Sequence, residues 1–200
     1  MLDEARFPTL AAYLASLPAG LDSYPQARSK GTLLRSSLDG HRVEPLLDGL
    51  PERLAALISS PPPAGVWVPA VHSDAVFHVV RDHYYPSDEA VRAWTLERTR
   101  ATVHKPMYRA LVRVAGPAVL LRMGAKVHGL LQQGTSVDVV VEGRRVEVTE
   151  RFPPHLHSRE VLLANVALLE SLVEITGGAS PAAAMLDESP TRARYECTWS

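Results

Sequence analysis

Hydrophobic and polar positions are most regular in the last third of the chain. From Ser136 to Phe152 they alternate in two runs around Glu142-Gly143, which predicts a hairpin with strands Ser136–Val141 and Arg145–Phe152. Pro153-Pro154 ends that pattern. A helical spacing then begins behind Ser158, a good N-cap, and puts Val161, Leu162, Asn165, Leu168, Leu169 and Leu172 on one face before Gly177-Gly178 stops it. A short strand over Ala182–Leu186 is expected to turn at Ser189-Pro190 into a last alternating strand, Arg192–Trp199, whose inward face carries Tyr195, Cys197 and Trp199.

The preceding residues read as helices. Phe7–Leu17 places Leu10, Tyr13, Leu14 and Leu17 together, Ala27–Leu38 reads as a second helix, and Pro51–Ser59 as a third. The segment Ser59–Gly65 (SSPPPAG) is an extended connector between helices. Val68–Tyr85 is the next helix, closed by Pro86. Ser87 caps another, which the pattern carries to Ala115 with a kink at Pro106. Gly116-Pro117 ends it, and Ala118–Gln133 follows. The expectation is an α+β fold in a single domain spanning residues 1–200. Residues 1–134 form its mainly helical portion and residues 135–200 a hairpin–helix–strand unit. Its order is helix-helix-strand-strand-helix-strand(-strand), with the N-terminal helices packed on a small antiparallel sheet.

Composition narrows the function classes. The chain is 46% hydrophobic and 22% charged with a formal net charge of −1, so no global field draws it to nucleic acid or an anionic membrane. No apolar run approaches the roughly 18–20 residues of a membrane span, and the acidic opening MLDEARFPTL lacks the pattern of a signal peptide. These features point to the cytoplasm. A single cysteine, Cys197, excludes an intrachain disulfide.

Several short motifs occur in a telling order. Lys30, Gly31, Arg35 and Ser36 form K-G-x-x-x-R-S; Arg81–Ser87 reads RDHYYPS; a long helix, Gly-Pro, a helix, a hairpin and a helix follow; Tyr195 and Trp199 close the chain as Y-x-x-x-W. This order resembles a large paralogous myxobacterial family of unknown function with chains of about this length, over most of the sequence from Gln26 onward. The back half is also similar to the 4-vinyl reductase, haem-NO-binding and TRAPP-like domains. That resemblance implies helices on a small antiparallel sheet, dimerisation through helices, and in several members an interior pocket for a small or acyl ligand. The Cys/His zinc cluster of some 4-vinyl reductase domains has no counterpart here, where Cys197 stands alone.

Candidate chemistry is sparse. Between Arg92 and Lys126 there are eight basic residues and one acid, Glu97; Arg98, Lys105, Arg109 and Arg113 follow one another at spacings of 7, 4 and 4, close to one helical face. The stripe either receives an anionic ligand or partner, or is a solvated face balanced by acids such as Glu170 and Glu174. Nucleic acid is disfavoured, because only Trp94 and Tyr108 interleave it. His78 and His83 are five apart and His72 and His78 six apart, spacings that share no helical face. His155-x-His157 could chelate a metal if extended, and otherwise belongs to an exposed loop. His104 shares a face with Tyr108. Arg81 and Tyr84 either orient an anion or close a helix corner. Asn165 needs a hydrogen-bond partner, for which a backbone group is expected, and Cys197 reads as an inert buried side chain.

These residues name no cofactor. The expectation is a non-enzymatic cytoplasmic sensory or interaction module that dimerises through helices. Its small apolar or anionic ligand would lie between helices and sheet, lined by His104, Tyr108 and Arg109, with Trp94, Arg81 and Tyr84 beside them. The alternatives are a metal- or haem-binding protein or enzyme using His104, His128, His155 or His157, and a structural assembly partner.

Overall fold

The C-terminal alternation builds a four-stranded antiparallel sheet of order β4-β5-β7-β6. Its strands are β4 (Ser136–Glu142), β5 (Arg145–Arg151), β6 (Ala182–Ser189) and β7 (Arg192–Thr198). The computed structural model describes residues 2–103 and 116–200, apart from the side chains of 101–103. On the inner face of the sheet, Val146, Val148 and Glu150 of β5 lie beside Ala193, Tyr195 and Cys197 of β7, all buried. The outer face carries ion pairs such as Arg194 with Glu147 and Asp187. Long alternating strands give this register little freedom, since a slip of one residue would send Val146 and Val148 to water.

The earlier helices are α1 (Pro8–Ser16), α2 (Gly31–Leu38), α3 (Glu44–Leu47), α4 (Glu52–Ser59), α5 (Ala70–Tyr84) and α6 (Asp88–Val103). After residue 115 come α7 (Pro117–Leu131) and, behind the hairpin, α8 (Arg159–Ile175). Helix α5 is buried on nearly every side, from Val71 and Val76 to Val79 and Val80, because α1, α2 and α4 surround it. Helix α8 covers the inner face of the sheet with Leu162, Ala164, Leu169 and Val173, and is itself covered by α6. Among the described residues of α7 only Leu121 is buried.

Three expected helices give up an end to pairing, the one over Val68–Tyr85 losing Val68 and Pro69. Residues Arg28–Lys30 form strand β1, Trp67–Pro69 form β2 and Gln132-Gln133 form β3, joined as a three-stranded sheet β2-β1-β3. β1 is therefore cut from the start of the predicted helix over 27–38, and β3 from the end of that over 118–133. Local spacing could not show this, because the partners Ser29, Val68 and Gln132 lie far apart in sequence. Leu168, expected on the apolar face of α8, is 37% exposed; α6 and the sheet bury Glu170 and Ser171 instead.

The proline connector is clamped. Gly31 donates to the Val66 carbonyl (2.8 Å), Lys30 reaches the Gly65 carbonyl (2.9 Å) while lying over the Trp67 ring, and Arg35 donates to the Pro61 carbonyl (3.0 Å). A Cβ at residue 31 would stand 2.5 Å from the Pro63 oxygen, so the glycine of the K-G-x-x-x-R motif is a packing requirement.

Helix α1 has no cap of its own and borrows one. Asp82 of α5, its side chain 1% exposed, accepts from the Thr9 and Leu10 amides (3.0 and 3.1 Å) and from the Thr9 hydroxyl (2.6 Å). It satisfies orphan donors at the positive end of the helix. Asp82→Ala is expected to lower the unfolding free energy by about 2–3 kcal/mol, read from the urea midpoint at constant slope. A midpoint matching that of Asp48→Ala, which removes a carboxylate that is 91% exposed, would show that the borrowed cap contributes nothing.

Candidate functional site

Three elements bring a buried charged group together where α5 meets the sheet. Glu150 is on the inward phase of β5, following Val146 and Val148. Asp74 lies on α5. His157 comes from the loop before α8, in which His155 adopts a positive φ of 59° and donates its amide to the Pro190 carbonyl (2.7 Å). That turn leaves His155 exposed and sends His157 inward.

His157 Nδ1 donates to Asp74 Oδ2 at 2.7 Å, and Nε2 lies 3.6 Å from Glu150 Oε1. Glu150 Oε2 accepts from Asn165 Nδ2 (3.1 Å) and from the Tyr195 hydroxyl (3.2 Å). The side chains of His157, Asp74 and Glu150 are 4%, 13% and 6% exposed. Burial alone would strip the imidazole of its extra proton. The carboxylate of Asp74, through its charge and its hydrogen bond, and that of Glu150 overrule it, raising the pKa to about 9. Burial, then Glu150, drives the Tyr195 phenol far above its ordinary range. Asn165 thus finds a carboxylate, where a backbone partner was expected.

A cavity of about 130 Å³ opens beside this group. Leu33, Ser36 and Ser37 of α2 and Ala70, Ser73, Asp74 and Phe77 of α5 form one side; Val161, Ala164 and Asn165 of α8 and His157 form the other; Ser29, Gln132 and Arg98 complete it. Ser29 and Ser73 bond to each other (2.6 Å). Arg98 of α6 donates to Ser37 Oγ (3.4 Å), and its guanidinium lies over Trp94, 4.7 Å from the ring centroid. Trp94 also stacks with Tyr85 and with Phe77, with centroids at 4.7 and 5.5 Å. Burial lowers the Arg98 pKa to about 10, against the pull of Asp39 and Tyr85, so it remains a cation at neutral pH. The wall carries charge from Asp74, His157 and Arg98, and mixes serine hydroxyls with apolar side chains such as Leu33, Ala70, Phe77 and Val161.

His104, Tyr108 and Arg109, with Lys105, Arg113 and the kink at Pro106, lie outside the described residues. Trp94 stands behind the cavity wall, one ring away from it. Arg81 pairs with Asp82 and Asp88 (both 3.3 Å), joining α5 to α6, and Tyr84 donates to the Arg42 carbonyl (2.7 Å), joining α5 to the loop between α2 and α3; neither lines the cavity. The bases flanking Arg98 are balanced, Arg92 by Glu170 and Arg100 by Glu174 (2.7 Å). His155 and His157 point apart and make no chelating pair. Among the described residues no three His, Cys, Asp or Glu side chains are placed to hold a metal ion. His128 pairs with the Thr135 hydroxyl (2.8 Å). Cys197 is fully buried, and burial followed by Glu170 pushes its thiol up to about 11. Sequence reasoning passed over Asp74 and noted Glu150 only as an acid near the His155-x-His157 pair; the stronger signal for Glu150 was a carboxylate in phase with Val146, Val148 and Phe152.

No family model matches the chain, and no curated protein does either. Neither comparison supports the resemblance to the myxobacterial family. Solved structures do match. One is an H-NOX from T. Tengcongensis (10% identity, 85% of this chain and 94% of that one, TM-score 0.59). Another is described as an oxygen-binding H-NOX domain related to soluble guanylate cyclases, in its oxygen complex (11%, 85% and 92%, TM-score 0.59). A third is an Fe(II) unliganded H-NOX protein from K. algicida (13%, 86% and 96%, TM-score 0.53). The chain shares the H-NOX, or haem-NO-binding, fold over most of its length, at identities that carry the fold and nothing further.

The buried proton has a pH signature. His157 titrates near 9 in the folded state and near 6.5 when unfolded, so its stabilisation is complete below about 6.5 and lost as pH rises through 9. The difference amounts to about 3 kcal/mol. Urea unfolding from pH 6 to 10 is expected to show that fall, and His157→Gln to remove it. A flat wild-type profile would mean that the folded imidazole is neutral.

Proposed function

We propose that this chain is a non-enzymatic, cytoplasmic sensory module, acting as one domain, that binds a single small polar molecule in the cavity between α2, α5 and α8. The carrying observation is the wall itself: charged and hydroxyl groups, largely withdrawn from water, are gathered at the junction of the helices and the sheet. Ligand binding there touches the Asp74–His157–Glu150 group and so both halves of the fold. Catalysis is less well supported. His157 is already protonated at neutral pH and cannot serve as a general base, and Ser29 and Ser73 are bonded to each other. His104, Tyr108 and Arg109 remain proposed ligand contacts of this reading. So do the homodimer, which sedimentation velocity would reveal as a single species of twice the chain mass, and the kinship implied by Lys30, Gly31, Arg35 and Ser36.

The fold gives the haem alternative a specific footing, because the similar structures include proteins studied for haem distortion and redox potential. The described residues do not fit it. A volume of about 130 Å³ is below the roughly 300–1,000 Å³ of pockets for drug-sized ligands, and the imidazole in the wall holds its protons between two carboxylates. Protein from haem-replete cells is expected to show no Soret band. A stoichiometric band that disappears in His104→Ala would replace the present reading with a haem module.

The small-ligand reading is checked by differential scanning fluorimetry against a library of polar molecules of up to about ten heavy atoms. Raised melting temperatures are expected for some members, and Ala164→Leu, which fills the cavity, is expected to abolish them. Equal shifts in the filled variant would place binding elsewhere and sink the proposal.

A further inference from the structure

Helix α7 is apolar on two opposite sides, and the fold uses one of them. It packs against β4, and on that side Leu121 is buried and His128 bonds to the Thr135 hydroxyl (2.8 Å). On the other side stand Val119, Met123, Val127 and Leu130, at spacings of 4, 4 and 3 that align them along one face. Val119, Val127 and Leu130 are 50%, 42% and 69% exposed. Together the four make a seam about 16 Å long at the helical rise. A surface helix ordinarily turns polar groups to water on this side, so a continuous apolar seam marks a face that another surface covers.

Charge selects what covers it. Arg122 and Lys126 are exposed and lie four residues apart along one edge of the seam. Arg92 and Arg100 of α6 are balanced by Glu170 and Glu174, whereas among the described residues no acid pairs with Arg122 or Lys126. The neighbouring sequence supplies none, because no Asp or Glu occurs between Glu97 and Asp138. A second copy laid α7 against α7 would bring the same two cations and again no acid, which is unfavourable. A lipid surface is poorly matched, since α7 has no Trp, Tyr or Phe to seat among headgroups. What fits is a helix whose own apolar residues recur every three and four positions, edged by carboxylates four apart. A Cβ at Gly124 or Gly129 would meet nothing, so the space beside the seam is open to a partner's side chains.

We propose that the outward face of α7 docks an acidic amphipathic helix of a partner protein. That helix seats its apolar residues on Val119, Met123, Val127 and Leu130 and its carboxylates on Arg122 and Lys126. The surface stands independently of the cavity.

Fluorescence anisotropy on the full chain tests this with three labelled synthetic peptides of about 18 residues, slightly longer than α7. The first has leucines at three- and four-residue spacing edged by glutamates. The second replaces the glutamates with lysines, and the third keeps the glutamates and replaces the leucines with serines. The first is expected to bind at least about tenfold tighter than either of the others. Leu130→Glu is expected to weaken it by a similar factor. Arg122→Glu combined with Lys126→Glu is expected to turn the preference to the lysine peptide, a reversal that a merely structural effect would not produce. Circular dichroism establishes that each variant is folded; if one is not, the other and the ranking on wild type decide. Equal binding of the glutamate and lysine peptides, binding that Leu130→Glu leaves unchanged, or no binding overturns the proposal. A dimer that becomes a monomer in Leu130→Glu also overturns it and gives the face to a second copy. Binding to phosphatidylcholine–phosphatidylserine vesicles that Leu130→Glu removes overturns it in favour of lipid.

Discussion

The structure depends on a proton that has nowhere else to go. Two carboxylates from different elements, Asp74 of α5 and Glu150 of β5, are drawn out of water and face one imidazole. Without the charge on His157 they would repel each other in a medium that screens poorly. With it, a helix from the first half, a strand from the second and the loop that starts α8 are tied at one point. Tyr195 and Asn165 then use the remaining acceptor of Glu150, and the cavity opens against the same group. Stability, the junction between the two halves, and the polarity of the candidate site share a single cause.

The fold is legible in the sequence wherever burial follows a local period. The hairpin from Ser136, the Ser158 cap, the helix behind it and the last strand all appear close to their expected bounds, because one face of each is covered by an extended neighbour. Where pairing is short and non-local, period says nothing: β1 and β3 read as helix ends, since three and two residues of strand leave no alternation to see. The site is harder. Glu150 is open to suspicion from its phase, being the polar member of an otherwise apolar face. Asp74 is not, since α5 is buried nearly all round and has no outward face against which an inward acid stands out. Arg98 belongs to a basic stripe that reads as a single surface, yet it turns inward over Trp94 while Arg92 and Arg100 pair with acids of α8.

Likeness to H-NOX domains and the character of the cavity pull in different directions, and the difference is instructive. A fold is maintained by how its layers pack, here α8 and the helices around it against a four-stranded sheet. What lies between the layers is set by a few side chains that packing does not dictate. In this chain those positions hold serines, an arginine and an imidazole tied between acids. Such a lining is hydrogen-bonding in character, which is what the small polar ligand proposed above requires.

The three-stranded sheet also orders events during synthesis. β1 can acquire β2 only after residues 67–69 have been made, and its other edge must wait for Gln132 and Gln133. The intervening stretch of about 100 residues takes on the order of 5–20 s to make at ~5–20 residues per second. Throughout that interval a nascent chain exposes an unpaired strand edge, the surface through which chains most readily associate. β1 meets the delay with brevity and charge: three residues, two of them Arg28 and Lys30, with Gly31 turning the backbone into α2 immediately afterwards.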